Sequence, residues 1–289
     1  MTRPVLVLVH GRSQGGKDSG ALRQEWIDTL AAGLPADNER RLGEIEFRFP
    51  FYADTLDDLV ARAADFPPDV AIRGDPGGVD PEYAAFRLAI AEAALEKAGL
   101  TATLTGNAAY TERGPLQWDW VQAVLQKLES VPGLSGRMLE QFTRDVFVYL
   151  KYPAVRAAIN EIVAAALPTS GRVFVIGHSL GSVVAYDVLR KAAGIAVPLF
   201  ATVGSPLGIR EIVARLRPLA FPGVAQHWFN AYDERDVVAL RPLDAANFAI
   251  DPAVENYGAV KNRTDNAHGI VGYLNDPVVA ERIFAAVLG

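Results

Sequence analysis

Arg172-Val-Phe-Val-Ile176-Gly177-His178-Ser179-Leu180-Gly181 begins as an uninterrupted run of β-branched and aromatic residues and ends on two glycines flanking a serine. A run without polar alternation reads as a strand buried on both faces. Beyond it, Val183, Val184, Val188 and Leu189 recur at helical spacing. The pattern Gly-x-Ser-x-Gly is therefore bracketed by a strand and a helix. With 25 Gly and 8 Ser in 289 residues, roughly 0.06 such matches are expected by chance. In that context a serine sits on a sharp turn with a strained backbone and its hydroxyl pushed outward. Gly177 and Gly181 remove the Cβ atoms that would clash in so tight a turn.

The rest of the chain extends the same pattern in both directions. Val5-Leu-Val-Leu-Val9 is another continuous apolar run, followed by the polar, glycine-rich stretch from Gly11 to Gly20. Leu22, Trp26, Ile27 and Leu30 then recur at helical spacing. Glu44 to Tyr52 alternates charged and apolar residues and predicts a half-covered strand. Leu199 to Val203 and Trp228 to Tyr232 predict two more strands, and Ala280 to Leu288 a closing helix. Strands alternating with helices predict an α/β architecture with a mostly parallel sheet. From about Asp54 to Leu139 the pattern is helical, with breakers at Phe66-Pro-Pro-Asp69 and Arg73-Gly-Asp-Pro-Gly-Gly78 and a helix over Tyr83 to Leu95. A stripe of Trp120, Val121, Val124, Leu125 and Leu128 predicts a second helix there, stopped at Val131-Pro-Gly133. The expectation is one α/β domain over 1–289, interrupted by a helical insertion at 54–139.

A second glycine motif competes with the first. Gly11-Arg-Ser-Gln-Gly-Gly16-Lys17 fits the Gly-x-x-x-x-Gly-Lys loop that cradles phosphates, and it too lies between a strand and a helix. Its chemistry is incomplete. Such a loop continues with Ser or Thr, whose hydroxyl binds magnesium, whereas position 18 is Asp, which adds negative charge beside the phosphates. His10-Gly11-Arg12 instead suits a serine enzyme's need for a backbone N–H near the reacting carbonyl, because Gly11 allows close approach. Lys17, Asp18 and Ser19 then read as helix-start residues, with Asp18 or Ser19 as the cap.

A serine nucleophile requires a base and an orienting acid, both expected later in the chain. Of the 4 histidines, His10 precedes the serine and His178 lies inside its turn. His227 begins a predicted strand and reads as structural. His268, in Asn266-Ala-His-Gly-Ile270, occupies a polar loop late enough to swing over the site. For the acid, Asp233 and Asp236 both follow the strand at Trp228. Asp236, followed by Val237-Val238, resembles the Asp-x-Val turn that supplies the acid in many serine enzymes, Asp233 could instead cap the turn or pair with Arg235, and Asp251, after the strand-like run Phe248 to Ile250, is a third candidate.

In their order, Val5 to Arg12, Gly177 to Gly181, Asp236 and His268 resemble the α/β-hydrolase fold superfamily, in its serine esterase and lipase branch. The resemblance covers about two-thirds of the chain, with the insertion unmatched; in that superfamily such an insertion often forms a cap over the nucleophile. It implies that Ser179, His268 and Asp236 form a catalytic triad and that the Arg12 and Leu180 backbone N–H groups form the oxyanion hole. It further implies hydrolysis of a small-molecule or lipid-like ester through an acyl-enzyme, without a cofactor or metal. A thioesterase, acyltransferase or peptidase could use the same parts. Trp118 and Trp120 could line an acyl pocket or form the insertion's own core.

Composition narrows the classes further. Hydrophobic residues make up 50% of the chain and charged residues 21%, enough apolar content for a packed core and too much for disorder. Lys plus Arg is 28 against 34 for Asp plus Glu, a net charge of −6 with no basic block, which disfavours nucleic acid as a partner. There is no cysteine, so disulfides, thiolate metal sites and cysteine nucleophiles are excluded. No run approaches the ~18 apolar residues of a transmembrane segment. Val5 to Val9 is too short for a signal peptide, so the expectation is a soluble, cytoplasmic protein.

Overall fold

The computed structural model describes residues 3–12, 14–62, 80–97, 99 and 136–289. The chain divides into two compact units: Met1–Asp54 with Ala157–Gly289, and Thr55–Arg156 between them in sequence.

Among the described residues the first unit is built on seven strands: β1 (Val5–Val9), β2 (Glu46–Arg48), β3 (Gly171–His178), β4 (Ile195–Ala196), β5 (Phe200–Val203), β6 (Trp228–Asp233) and β7 (Glu255–Val260). They form one sheet in the order β2-β1-β3-β5-β6-β7, with β4 beside the start of β3. Every pairing is parallel, which makes this an α/β fold. Parallel strands flanked by helices have two covered faces, and β1 and β5 are buried at every position. On one face Leu6, Leu8, Phe174, Ile176, Ala201 and Phe229 form a core with Trp26 and Leu30 of helix Ser19–Ala32 and Ile283 and Phe284 of helix Pro277–Leu288. Each leucine, isoleucine and phenylalanine among them contributes about 1.5–3 kcal/mol on burial. Helix Ser19–Ala32 starts where Asp18 accepts a 2.6 Å hydrogen bond from the Ala21 N–H. It stops at Gly33, where a Cβ would stand 2.7 Å from the Ala280 Cβ.

Three features differ from the sequence expectation. The alternation over Glu44 to Tyr52 yields only the short β2, preceded by a 3-10 turn at Leu42–Glu44. Pro50 has no N–H to offer a ladder, so pairing ends before it. The apolar run Phe248 to Ile250 is not a strand, because Asp244 captures the backbone ahead of it. The Asp244 Oδ1 accepts from the Ala246 and Asn247 N–H groups, and the Phe248 N–H donates to the Asp244 carbonyl at 2.7 Å. Strands β4 and β7 carry no strong pattern: β4 has two residues, and β7 is largely exposed and contains Asn256 and Gly258.

The register places Val9, Gly177, Thr202 and Asn230 level with one another across β1, β3, β5 and β6. The carboxyl ends of these strands are therefore neighbours. The chain leaves β1 toward β2 on one side and returns to β3 on the other, so the strand order reverses between β1 and β3. In open parallel sheets the crevice at such a reversal is where ligands bind.

The described part of the second unit is helical. Helix Pro81–Lys97 packs on helix Gly136–Lys151, with the Phe147 ring 5.2 Å from Tyr83 and 5.3 Å from Phe86. Arg87 donates to Glu140 at 2.7 Å, and Lys151 pairs with Asp80. The predicted breakers at 66–69 and 73–78, Trp118, the stripe from Trp120 to Leu128 and the stop at Val131 lie outside the described residues. Among the described residues no helix is long and apolar enough to cross a membrane.

Candidate active site

β3 ends at His178, and helix Leu180–Leu189 starts two residues later with Ser179 as its cap. Among the described residues Ser179 is the one non-glycine with positive φ, at φ 56° and ψ −130°. Such a conformation costs on the order of 1–3 kcal/mol and persists only where its surroundings enforce it. Here the Ser179 N–H donates to the Val203 carbonyl at 3.2 Å, and the Ser182 N–H and Oγ both donate to the Ser179 carbonyl, at 3.0 and 2.6 Å. The Ser182 proton is thereby committed, so Ser205 donates to Ser182 across 2.7 Å and accepts in turn from the Leu207 N–H. The flanking glycines are required sterically. A Cβ on Gly177 would stand 2.7 Å from the Ser182 Cα, and one on Gly181 would stand 2.2 Å from the Val9 carbonyl oxygen.

Three predicted site residues from distant parts of the chain meet above this turn. The His268 Nε2 lies 2.8 Å from the Ser179 Oγ, and its Nδ1 lies 2.8 Å from the Asp236 Oδ2. A carboxylate only accepts, so Nδ1 carries a proton, which leaves Nε2 as the ring nitrogen able to accept from the serine hydroxyl. Asp236 is completely buried, while the His268 side chain keeps 11% of its surface exposed. Burial alone would raise the Asp236 carboxyl, but the opposing pull of His268, Tyr273 and the Val238 N–H holds it below the usual carboxylate range. The acid is thus ionised beside the imidazole.

The choice between Asp233 and Asp236 is made by geometry. Asp233 ends β6 and spends its carboxylate on Arg235, taking the backbone N–H at 2.8 Å and the guanidinium at 2.8 and 3.2 Å, and on the Asn262 N–H at 2.7 Å. Three residues on, Asp236 turns inward, its Oδ1 accepting from the Val238 and Ala239 N–H groups at 2.8 and 3.3 Å. Asp251 is exposed.

Two further residues build this region and belong to no motif of the sequence. Tyr273 donates to the same Oδ2 of Asp236 at 2.6 Å and accepts from the Asp233 N–H at 3.2 Å. Asn262, fully buried, donates to the Ala267 and Gly269 carbonyls at 3.1 and 2.8 Å, so it grips the backbone on both sides of His268. Its Oδ1 accepts from the Thr264 N–H and hydroxyl. Gly272 leaves the space that this amide fills, for a Cβ there would stand 1.9 Å from the Asn262 side chain. Neither Tyr273 nor Asn262 has a characteristic spacing to the serine, so no sequence signal marks it.

Two other histidines hold neighbouring backbone in place. The His178 Nε2 donates to the His268 carbonyl at 2.9 Å, fixing the backbone of that loop, and burial lowers its pKa from 6.5 to about 3. The His10 Nδ1 donates to the Gly11 carbonyl at 2.6 Å, its Nε2 accepts from the Tyr52 N–H at 3.1 Å, and burial lowers its pKa to about 4. His227 is exposed, immediately ahead of β6.

The loop after β1 touches the turn directly: a Cβ on Gly11 would stand 2.9 Å from the Ser179 Cβ. Arg12 is therefore the next residue along from the serine's immediate neighbour. Leu180 occupies the first helical position, where the backbone N–H has no intrahelical acceptor. Farther along the loop, the Gly16 N–H donates to the Asp54 carboxylate at 2.7 Å, and Lys17 donates to the Gln14 side chain at 3.0 Å. Ser13 lies outside the described residues. Among the described residues no cluster of three or more His, Cys, Asp or Glu is placed to hold a metal ion. Comparison with known protein families, with curated proteins and with solved structures gives no match.

Proposed function

We propose that the chain is a serine hydrolase of the α/β-hydrolase fold, in its esterase and lipase branch, cleaving carboxylic esters through an acyl-enzyme. The observation that carries this reading is the continuous line Ser179 Oγ, His268 Nε2, His268 Nδ1, Asp236 Oδ2, with 2.8 Å at each contact. In that line His268 takes the Ser179 proton as the Oγ attacks the ester carbonyl, then returns it to the departing alcohol oxygen. Water, deprotonated by the same imidazole, attacks the acyl carbonyl, and the Ser179 Oγ leaves with the proton returned from the imidazolium. Asp236 holds the reactive tautomer and stabilises the imidazolium. The Arg12 and Leu180 backbone N–H groups receive the developing oxyanion, which the contact of Gly11 with Ser179 supports.

A phosphate-binding role for the Gly11–Lys17 loop is disfavoured, because the Gly16 amide and the Lys17 ammonium are directed at Asp54 and Gln14. Thioesters, amides and acyl acceptors other than water remain substrates for the same chemistry, and a substrate series separates them.

The test is labelling with a fluorophosphonate, followed by turnover of ester and thioester series of graded chain length. Ser179→Ala should abolish the adduct and reduce turnover by about 10⁶ while the protein stays folded. A folded Ser179→Ala variant that retained either property would overturn the assignment. Lys17→Ala should change ester turnover only a few-fold.

A further inference from the structure

We propose that Tyr273 is a positioning residue of this site: its hydroxyl holds Oδ2 of Asp236 and, by sharing that oxygen with His268, sets how strongly the carboxylate grips the imidazole. Its effect on rate rests on the hydrolase reading above.

The Asp236 carboxylate is fully buried and accepts four hydrogen bonds, two on each oxygen. Oδ1 takes the Val238 and Ala239 N–H groups, and Oδ2 takes the His268 Nδ1–H at 2.8 Å and the Tyr273 hydroxyl at 2.6 Å. That fills the acceptor capacity of a carboxylate. Tyr273 comes from the short helix Val271–Leu274, only a few residues after His268, so one segment supplies both donors to Oδ2. The direction of the tyrosine bonds is determined. A backbone N–H can only donate, so the bond from Asp233 uses a lone pair of the hydroxyl and leaves its proton for Asp236. Burial, reinforced by the Asp236 charge, pushes the hydroxyl well above its ordinary value, so it stays protonated and remains a donor. Tyr273 thereby ties the end of β6 to the acid three residues beyond it.

The ring and the hydroxyl have separable tasks. The ring fills space against Gly204, whose Cβ, if present, would stand 3.1 Å from the tyrosine Cε2. Phenylalanine would fill the same space but could not donate to Oδ2. Without that donor the carboxylate charge would fall on the imidazole alone, strengthening the His268–Asp236 bond and favouring the imidazolium. The titratable and charged groups facing this cluster are Asp233 with its partner Arg235 at the end of β6, His178 at the end of β3, and His268 and Tyr273 themselves.

The experiment compares wild type with Tyr273→Phe and with 3-fluorotyrosine placed at 273. In Tyr273→Phe the acid limb of the kcat/KM profile should move to higher pH by about half a unit, and kcat should fall about tenfold with KM little changed. The downfield ¹H resonance of the His268 Nδ1–H, assigned by its absence in His268→Ala, should move farther downfield. 3-Fluorotyrosine is a more acidic donor, so both shifts should reverse sign, and this variant decides the matter if the phenylalanine variant fails to fold. A folded Tyr273→Phe whose acid limb and imidazole resonance both coincide with wild type would overturn the proposal. If wild type neither labels nor turns over esters, the hydrolase reading fails by itself, and the imidazole resonance still tests the Tyr273 contact.

Discussion

Gly181 and His10 meet where the loop after β1 touches the helix after the serine: a Cβ on Gly181 would stand 2.3 Å from the His10 carbonyl oxygen. The loop that follows β1 and the helix that follows the serine can lie together only because one of them has no side chain at the point of contact. Through this contact the early strand reaches a serine about 170 residues later in the chain.

Gly181→Ala should therefore fail badly. The neighbours it would strike, the carbonyls of Val9 and His10, are backbone and cannot swing away. Overpacking of this kind costs about 1–3 kcal/mol or more, and the displaced loop should also remove ester turnover. Gly16→Ala is the control: its φ of +71° carries a similar conformational penalty of about 1–2 kcal/mol, but no atom lies within 4 Å of the added methyl. Thermal melting with an ester assay should show Gly16→Ala losing some stability and keeping its activity, and Gly181→Ala losing both.

Asp236→Asn should lower turnover by about 10⁴ with the fold intact, since an amide at this position favours the wrong histidine tautomer. Asp233→Asn should act on stability instead, because its carboxylate is held by Arg235 and the Asn262 N–H and does not reach His268. A severe loss of rate in Asp233→Asn without a lowered melting temperature would transfer the acid's role to it.

Asn262→Ala removes the two donors that hold the Ala267 and Gly269 carbonyls. Leaving partly buried carbonyls without a donor costs up to about 1–3 kcal/mol each, so a drop in melting temperature is expected. Turnover should fall as well, because the backbone carrying His268 loses its grip. Fast hydrogen exchange confined to residues 262–269 would mark local loosening, and unchanged exchange there would contradict it.

Stability should fall on mild acidification. His10 and His178 stay neutral in the fold, with pKa values lowered from 6.5 to about 4 and about 3 by burial, whereas in the unfolded chain both take up protons below about 6.5. The unfolded state then binds more protons, so each histidine lowers stability by up to about 1.4 kcal/mol per pH unit as pH falls from 6.5 toward 4. Asp236 and Asp233 have depressed values, so they add a further loss below about 3.8, as pH falls through their folded values. Urea unfolding between pH 7 and 5 should show the histidine slope, and His10→Asn should remove about half of it.

Much of this protein is written in the local chemistry of its chain. The runs Val5–Val9, Val173–Ile176 and Leu199–Val203 read as covered strands, because apolar side chains occupy both of their faces. Gly177, Ser179 and Gly181 mark a strained turn through their spacing alone, and Asp18 caps its helix as a short acidic residue at a helix start does. Tertiary structure decided what depends on direction. Asp233 and Asp236 are the same residue type three positions apart, and only the end of β6 turns one toward Arg235 and the Asn262 N–H and the other toward His268. Phe248 to Ile250 is apolar enough for a strand, yet the Asp244 turn ahead of it takes the backbone first. Tyr273 and Asn262 leave no trace in the sequence, because a hydrogen bond to a carboxylate or a loop carbonyl needs a distance and an angle, and both exist only once the C-terminal segment has been laid against the ends of β3 and β6.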